Sequence, residues 1–157
     1  MLPVTRPVHI SFLTASGAPF VPPLPGLREV NPLNSDTVWN LRTLPRRLVV
    51  LGGGPFGSEL AQCFARFGSQ VTQVQKPPRT LPREDPEAPD LVAKRFRAEG
   101  ITVLVDHEAK AVVVEGGEKM LVVAHEGEEK RIAFDEILCA LGRAPNTKGY
   151  GLEALGI

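Results

Sequence analysis

Residues 47–76 read RLVVLGGGPFGSELAQCFARFGSQVTQVQK, and this stretch decides the fold. Its apolar start, residues 47–52, is continuous enough to predict a strand that is buried on both faces. A helical pattern follows over about residues 55–67, and Gly68 suits the end of that helix. The next apolar run, QVTQV, predicts a second strand, so the stretch predicts a strand–helix–strand unit. The predicted apolar face of the helix carries Phe56, Leu60, Phe64 and Phe67.

The glycines between the first strand and the helix have the spacing G-x-G-x-x-G, at Gly52, Gly54 and Gly57. The first glycine allows a tight turn, the second lets the backbone approach a pyrophosphate, and the third lets the helix pack close to the strand. The helix start offers unpaired N–H groups and a partial positive charge to the anion. A tight turn without a ligand is the alternative. The pattern predicts a dinucleotide-binding loop of Gly52, Gly53, Gly54, Pro55, Phe56 and Gly57.

The second strand ends at Gln75, where an NAD-binding fold usually has an acid that accepts from the ribose 2′-hydroxyl. A carboxylate would repel the 2′-phosphate of NADP, and Gln75 removes that repulsion. Lys76 and Arg79 follow and could pair with the phosphate. The sequence therefore favours NADP over NAD as the cofactor. The alternative is that Lys76 and Arg79 are solvated loop charges.

The rest of the chain extends this pattern. Asp85 is expected to cap a second helix that ends near Gly100, and ITVLV after it predicts a third parallel strand. Residues 109–134 contain three short β-type runs separated by Glu-Gly-Gly and Glu-Gly, which predict an antiparallel meander. EILCAL then returns as a buried strand. The predicted fold class is α/β, a Rossmann-like FAD/NAD(P)-binding domain with a parallel sheet and an antiparallel three-stranded β-meander insertion.

The N-terminal part of the chain has weaker signals. Residues 8–14 predict one short strand, and the proline-rich residues 17–27 are expected to form an irregular connector laid over a surface. Ser35 or Asp36 is expected to cap a short helix that ends before Pro45.

The composition excludes several classes of protein. The 157 residues include 18 acidic and 18 basic residues, so the chain lacks the charge of a nucleic-acid binder. No apolar run approaches the roughly 20 residues that span a bilayer, and no signal peptide is evident. Cys63 and Cys139 are too far apart in sequence to indicate a disulfide framework or a metal site, and we expect both to be buried. We therefore expect no nucleic-acid, membrane or metal partner and a cytoplasmic location.

Four motifs together resemble the pyridine-nucleotide domain of the flavin-dependent disulfide oxidoreductases, the family of lipoamide dehydrogenase, glutathione reductase and mercuric reductase. They are LPRRLVVLGGGPFGSELAQCFARFGSQVTQV, PRTLPREDPE, FRAEGITVLV and FDEILCALGRAPNT, in the family's order and spacing. The meander resembles the family's β-insertion. The resemblance implies a connector from a missing flavin domain at residues 1–35, an NAD(P)-binding Rossmann-like domain at 36–146, and a truncated return segment at 147–157.

The resemblance also implies roles for individual residues. Glu59 matches a family glutamate near the nicotinamide, which pairs with a lysine beside the flavin in the full enzyme. An ordinary exposed acid in the first helical turn is the alternative for Glu59. Gly142 and Arg143 match a strand end that lies near the nicotinamide and leads back to the flavin domain. Gln75 stands where NAD-using members have glutamate.

Several parts of a complete enzyme have no counterpart in the motifs of this chain: the redox-active cysteine pair, the flavin-binding glycine motif, and the dimerisation domain with its His-Glu pair. The resemblance thus predicts an NAD(P)H-binding domain that positions the nicotinamide for hydride transfer to FAD, with FAD bound only in the full-length parent. We expect no catalytic residue and no reductase turnover in the isolated chain. The alternatives are a stand-alone nucleotide-binding or protein-interaction module, and a glycine turn that binds FAD.

Overall fold

The protein is described by a computed structural model that covers residues 16–156, and the strand predicted at residues 8–14 lies outside the described residues. The α-helices are α1 at Pro55–Phe67 and α2 at Glu87–Ala98. In chain order the strands are β1 Gly17–Pro19, β2 Arg47–Leu51, β3 Gln70–Val74, β4 Thr102–Leu104, β5 Glu108–Glu115, β6 Glu118–His125, β7 Glu128–Phe134, β8 Glu136–Cys139 and β9 Arg143–Pro145.

A four-stranded parallel sheet in the order β4-β3-β2-β8 forms the centre of the fold. Strand β2 pairs with β3 on one side and with β8 on the other, so Leu51 lies opposite both Val74 and Cys139. Residues 48–51 are each no more than 2% exposed, as expected for a strand covered on both faces. The predicted fold class is confirmed, including the parallel order of the first three predicted strands and the return of β8.

The two faces of the sheet pack against different layers because side chains alternate along a strand. Leu48 and Val50 of β2 pack with Ala61 of α1 and Phe96 of α2. The opposite face of the sheet packs against the meander, with Val49 and Leu51 in one apolar cluster with Leu121, Val123 and Phe134. The helices therefore cover one face of the sheet and the meander covers the other.

Strands β5, β6 and β7 form the predicted antiparallel meander. Its two turns are the two-residue segments 116–117 and 126–127, and all four residues have positive φ. Such turns follow the right-handed twist of the strands that they join, which explains why Glu-Gly-Gly and Glu-Gly are the hairpin signals in the sequence.

Helix α1 has the predicted bounds, and Phe56, Leu60 and Phe64 of its predicted apolar face pack partly buried against the core. Phe67 is 69% exposed and Cys63 is exposed, so the expectation that both would pack in the core was wrong. The most buried residues of α1 are Gly57, Ser58 and Ala61. Small side chains let the helix lie close to the sheet, and this turns the packed face away from Cys63 and Phe67.

The N-terminal connector is more ordered than predicted. Gly17–Pro19 is not irregular but pairs antiparallel with β9, and Leu27 is fully buried in the core on the meander side. Leu33 makes a parallel bridge to Leu138 beside β8. The connector therefore contributes to the core rather than lying over a surface.

The caps of two predicted helices can also be located. Neither Ser35 nor Asp36 caps the segment after the connector; Asn34 Oδ1 accepts the N–H groups of Asp36 and Thr37, and only a 3₁₀ turn at Val38–Asn40 follows. The competing Asx turn is a common role for asparagine. Asp85 acts as predicted, since its Oδ1 accepts the N–H of Glu87 at the start of α2 at 3.1 Å.

Within residues 16–156, neither helix has the length and apolar character needed to cross a membrane.

We predict that Glu99→Gln lowers the free energy of unfolding at pH 7. The Glu99 carboxylate joins α1 to α2, accepting from Arg66 at 2.7 Å, from Arg95 at 2.6 Å and from Gln62 at 2.9 Å. These bonds, that with Arg66 foremost, lower the pKa of Glu99 to about 2. A lowered folded-state pKa stabilises the fold above the ordinary carboxyl pKa, and this contribution is lost as the pH falls from about 4.5 to 2.

The measurement is urea unfolding of the wild type and the variant at pH 7 and at about pH 2.5, with the exposed Glu129→Gln as the matched control. The difference in the free energy of unfolding between the wild type and Glu99→Gln should be smaller at the lower pH. A gap of the same size at both pH values would show that the carboxylate does not stabilise the fold.

Candidate functional site

A cleft of about 700 Å³ opens at the carboxyl ends of β2, β3 and β8. This edge is where ligands bind in open parallel α/β sheets. The glycine turn at 52–56 forms one wall, and the chain after β8, at 139–143, forms another. Gln75, Pro77 and residues 81–84 border the cleft from the segment between β3 and α2, and Pro19 and Ser35 also line it.

The first and third glycines of the turn are required by the protein itself. Gly52 has φ +111°, and a Cβ there would lie 2.3 Å from the carbonyl oxygen of Ala140. A Cβ at Gly57 would lie 2.4 Å from the carbonyl oxygen of Gly52. These contacts agree with the roles that the sequence predicts for the two positions, a tight turn and a close helix.

Gly54 differs, because no part of the described protein requires a glycine there. Its φ of −77° is ordinary for any residue, and a Cβ at this position would meet no heavy atom within 4 Å. Gly54 borders the cleft, so the missing side chain leaves bare backbone facing open space. A diphosphate fits here, since it needs close approach to main-chain N–H groups.

The start of α1 supplies unpaired donors beside Gly54. The first hydrogen bond of the helix runs from the N–H of Ser58 to the carbonyl of Gly54 at 2.9 Å. Among residues 16–156, no protein acceptor takes the N–H groups of Gly54, Phe56 or Gly57, and Pro55 has none to donate. The helix dipole adds partial positive charge at the same place, so this corner favours an anion.

Gln75 points at the glycine turn. It is 7% exposed, and its Oε1 accepts the N–H of Gly53 at 2.7 Å. Sequence reasoning did not single out Gln73, two residues earlier, whose fully buried Nε2 donates to the carbonyl of Gly52 at 3.1 Å. A polar residue inside an otherwise apolar strand was the available signal for Gln73.

The loop cations that follow Gln75 are placed differently from each other. Lys76 Nζ lies 2.7 Å from Glu108 Oε1, and Arg79 Nη2 donates to the carbonyl of Pro82 at 3.1 Å. Neither residue borders the cleft, whereas Arg83 does. Within the described chain Arg83 forms no ion pair, and it is a residue that the sequence reading passed over.

Gly142 and Arg143 both border the cleft, and Glu59 does not, because it lies on the exposed side of α1. The Arg143 guanidinium donates to Ser35 Oγ at 2.9 Å and to the carbonyl of Gly17, and it lies 3.9 Å from Asp36 Oδ1. Arg143 therefore joins β9 to β1 at the rim of the cleft.

Cys139 lies at the back of the cleft, at the end of β8. Burial raises the pKa of its thiol to about 11, so the sulfur is protonated at neutral pH and is a poor nucleophile. The prediction that Cys139 is buried is confirmed. In the part of the chain that the structure covers, no group of three or more His, Cys, Asp or Glu side chains is arranged to hold a metal ion.

Comparisons with known proteins give a consistent family. Residues 11–157 match the family described as pyridine nucleotide-disulphide oxidoreductase. A mercuric reductase from Acidithiobacillus ferrooxidans is 42% identical over 146 residues, which is 92% of this chain and 26% of that protein. A dihydrolipoyl dehydrogenase from Thermus scotoductus is 38% identical over 159 residues, covering 94% of this chain and 32% of that protein.

A solved structure with the same architecture is the HOCl-induced flavoprotein disulfide reductase RclA from Escherichia coli. It superposes with a TM-score of 0.80 at 32% identity, over 92% of this chain and 32% of that one. The chain therefore spans about a quarter to a third of the length of these relatives.

An added methyl group should have a much larger effect on the stability of the fold at Gly57 than at Gly54. We predict that Gly57→Ala destabilises the fold by about 3 kcal/mol, because its Cβ would collide with a backbone carbonyl that cannot move freely. Gly54→Ala should change the free energy of unfolding by less than about 1 kcal/mol, since its Cβ meets open space. Urea unfolding of both variants measures the difference, and equal losses would contradict the assigned roles.

Proposed function

The chain belongs to the pyridine nucleotide-disulphide oxidoreductase family, and we propose that it is the NAD(P)H-binding domain of a flavin-dependent member. When bound, the nicotinamide would supply a hydride for the flavin of the full enzyme, and residues of this chain would bind and orient the cofactor. Gly52–Gly57 would surround the pyrophosphate. This assignment needs no proton-transfer group in the chain.

The observation that carries the proposal is the bare backbone at Gly54. Gly52 and Gly57 are explained by contacts within the protein, and Gly54 is not. A group from outside the protein that must lie against this backbone accounts for the glycine. The three free N–H groups at the start of α1 and the helix dipole favour an anionic group, as in a dinucleotide pyrophosphate.

We propose that the nicotinamide end lies toward Gly142 and Arg143, which border the cleft and follow β8, the strand on the other side of β2 from β3. Glu59 is exposed and outside the cleft, so we propose that it faces the flavin-binding part of the enzyme rather than the dinucleotide.

We propose that residues 1–35 connect from a flavin domain, that 36–146 bind the dinucleotide, and that 147–157 begin the return to the rest of the enzyme. Support comes from β1, inside the proposed connector, and from β9, just before the proposed return segment, because these two strands pair with each other. The flavin and dimerisation domains would then lie on this side.

We propose that the cofactor is NADP rather than NAD and that the loop at 81–84 binds its 2′-phosphate. Gln75 is neutral and places no charge near the adenosine ribose. Lys76 is engaged with Glu108, which Lys110 also contacts, and Arg79 does not border the cleft. Arg83 is the cation of this loop that borders the cleft, although Glu84 beside it also borders the cleft and opposes its charge.

Gly54→Ala should weaken binding of NADPH and NADH by at least about tenfold while leaving the fold intact, because a methyl group would separate the pyrophosphate from the amides. The measurement is calorimetric titration up to millimolar concentration, with circular dichroism as the check on folding. Failure of the wild type to bind either cofactor would refute the proposal. A yellow purified protein would instead favour FAD at the glycine turn.

Arg83→Ala should weaken NADPH binding by about tenfold and leave NADH binding nearly unchanged, since only NADPH carries the 2′-phosphate. Glu84→Gln should strengthen NADPH binding, and the exposed Arg97→Ala is the control for loss of positive charge. If Lys76→Ala changes the NADPH to NADH ratio and Arg83→Ala does not, Lys76 is the reader of the phosphate.

A further inference from the structure

We propose that Gln73 and Gln75 are positioning residues that hold the peptide group between Gly52 and Gly53 in one orientation, and thereby decide which amides of the turn face the diphosphate. The inference rests on the proposed dinucleotide function of the cleft. It assigns Gln75 to the glycine turn rather than to the ribose.

The two glutamines act on one peptide group. Gln73 lies in β3 and Gln75 directly follows the strand, two residues later, so both side chains lie on the side of the sheet that faces α1 and the turn. Gln73 Nε2 donates to the carbonyl of Gly52, and Gln75 Oε1 accepts the N–H of Gly53. Carbonyl and N–H belong to the same trans peptide, so it cannot rotate without breaking both bonds.

Burial makes both bonds effective. Gln73 is fully buried and Gln75 is 7% exposed, so little water competes for either amide. Gln73 Nε2 also lies 3.2 Å from Ser58 Oγ, which links the same amide to the first turn of α1. The held peptide is thus fixed relative to the helix start as well as to the sheet.

Gln73 carries an unfavourable free-energy term that an apolar residue at this position would not have. Its Oε1 is buried and has no hydrogen-bond partner, which is unfavourable. The neighbouring position on the same face of the strand is Val71, and a branched apolar side chain suits a buried strand. The amide nitrogen explains the choice, since an apolar side chain at 73 would leave the carbonyl of Gly52 without this donor.

The hydrogen bonds of Gln73 and Gln75 to this peptide, which together we call the clamp, complete the hydrogen bonding of Gly52 and Gly53. The N–H of Gly52 donates to the carbonyl of Val74 at 2.9 Å, and the carbonyl of Gly53 accepts from Leu81 at 2.6 Å. With the two glutamines, every polar backbone group of Gly52 and Gly53 has a protein partner. The donors left for a diphosphate therefore begin at Gly54.

Substitutions at Gln75 can distinguish two roles for this residue, binding the ribose or holding the glycine turn. If Gln75 held the ribose, its removal would weaken only ligands with a 2′-hydroxyl. If it holds the turn, its removal weakens every ligand with the diphosphate, whatever the sugar. Gln75→Glu keeps an acceptor for the N–H of Gly53, whereas Gln75→Leu has none.

The test is calorimetric titration of ADP and 2′-deoxy-ADP into the wild type, Gln75→Leu, Gln75→Glu and the exposed control Gln70→Leu. Gln75→Leu should weaken both ligands by the same factor, about three- to tenfold, with the control unchanged. Gln75→Glu should bind more tightly than Gln75→Leu. An unchanged affinity in Gln75→Leu, or a loss confined to ADP, would overturn the inference while leaving the proposed function intact.

Amide hydrogen exchange of the wild type gives a second test that needs no variant. The Gly53 amide should exchange slowly and its resonance should stay in place when ADP is added, while the resonances of Gly54, Phe56 and Gly57 move. Exchange of Gly53 as fast as Gly54 would overturn the clamp. A wild type that binds neither ADP nor NADPH would overturn the proposed function and the inference together.

Discussion

The close approach of the first turn of α1 to the end of β2 is the contact on which the rest of the structure depends. It is possible only because Gly57 carries no side chain, since a Cβ there would lie 2.4 Å from the carbonyl oxygen of Gly52. Gly52 in turn leaves room for the carbonyl oxygen of Ala140, which would lie 2.3 Å from its Cβ. The approach sets the small residues of α1 against the sheet and turns Phe67 outward. It also brings the free N–H groups of the helix start to the sheet edge, where the cleft opens.

Strand β3 combines two requirements that usually conflict. Val71 and Val74 pack in the cores on opposite faces of the sheet, as buried parallel strands require. Gln73 and, directly after the strand, Gln75 put amides into the helix-side layer, and these amides bond to the glycine turn. The strand therefore supports the core and the anion-binding corner at once, with one orphaned amide oxygen as the cost.

Local patterns were sufficient for much of the fold. The β2–α1–β3 unit follows from an apolar run, three glycines and a helical period, and the meander from two-residue turns that need positive φ. Other features depend on partners distant in sequence. Arg143 binding the carbonyl of Gly17 and Lys76 pairing with Glu108 join segments that no local signal connects. The sequence could thus predict the glycine turn as a candidate site, and could not predict which loop cation borders it.

The pairing of β1 with β9 has a consequence for the construction of larger proteins. Both ends of the described domain leave it on adjacent antiparallel strands, about 5 Å apart, with Arg143 bonded across them. A unit connected in this way can be exchanged as a cassette, because a recipient protein needs only one interruption on its surface to accept both junctions. Recombination could then transfer this unit between otherwise unrelated frameworks without disturbing either core.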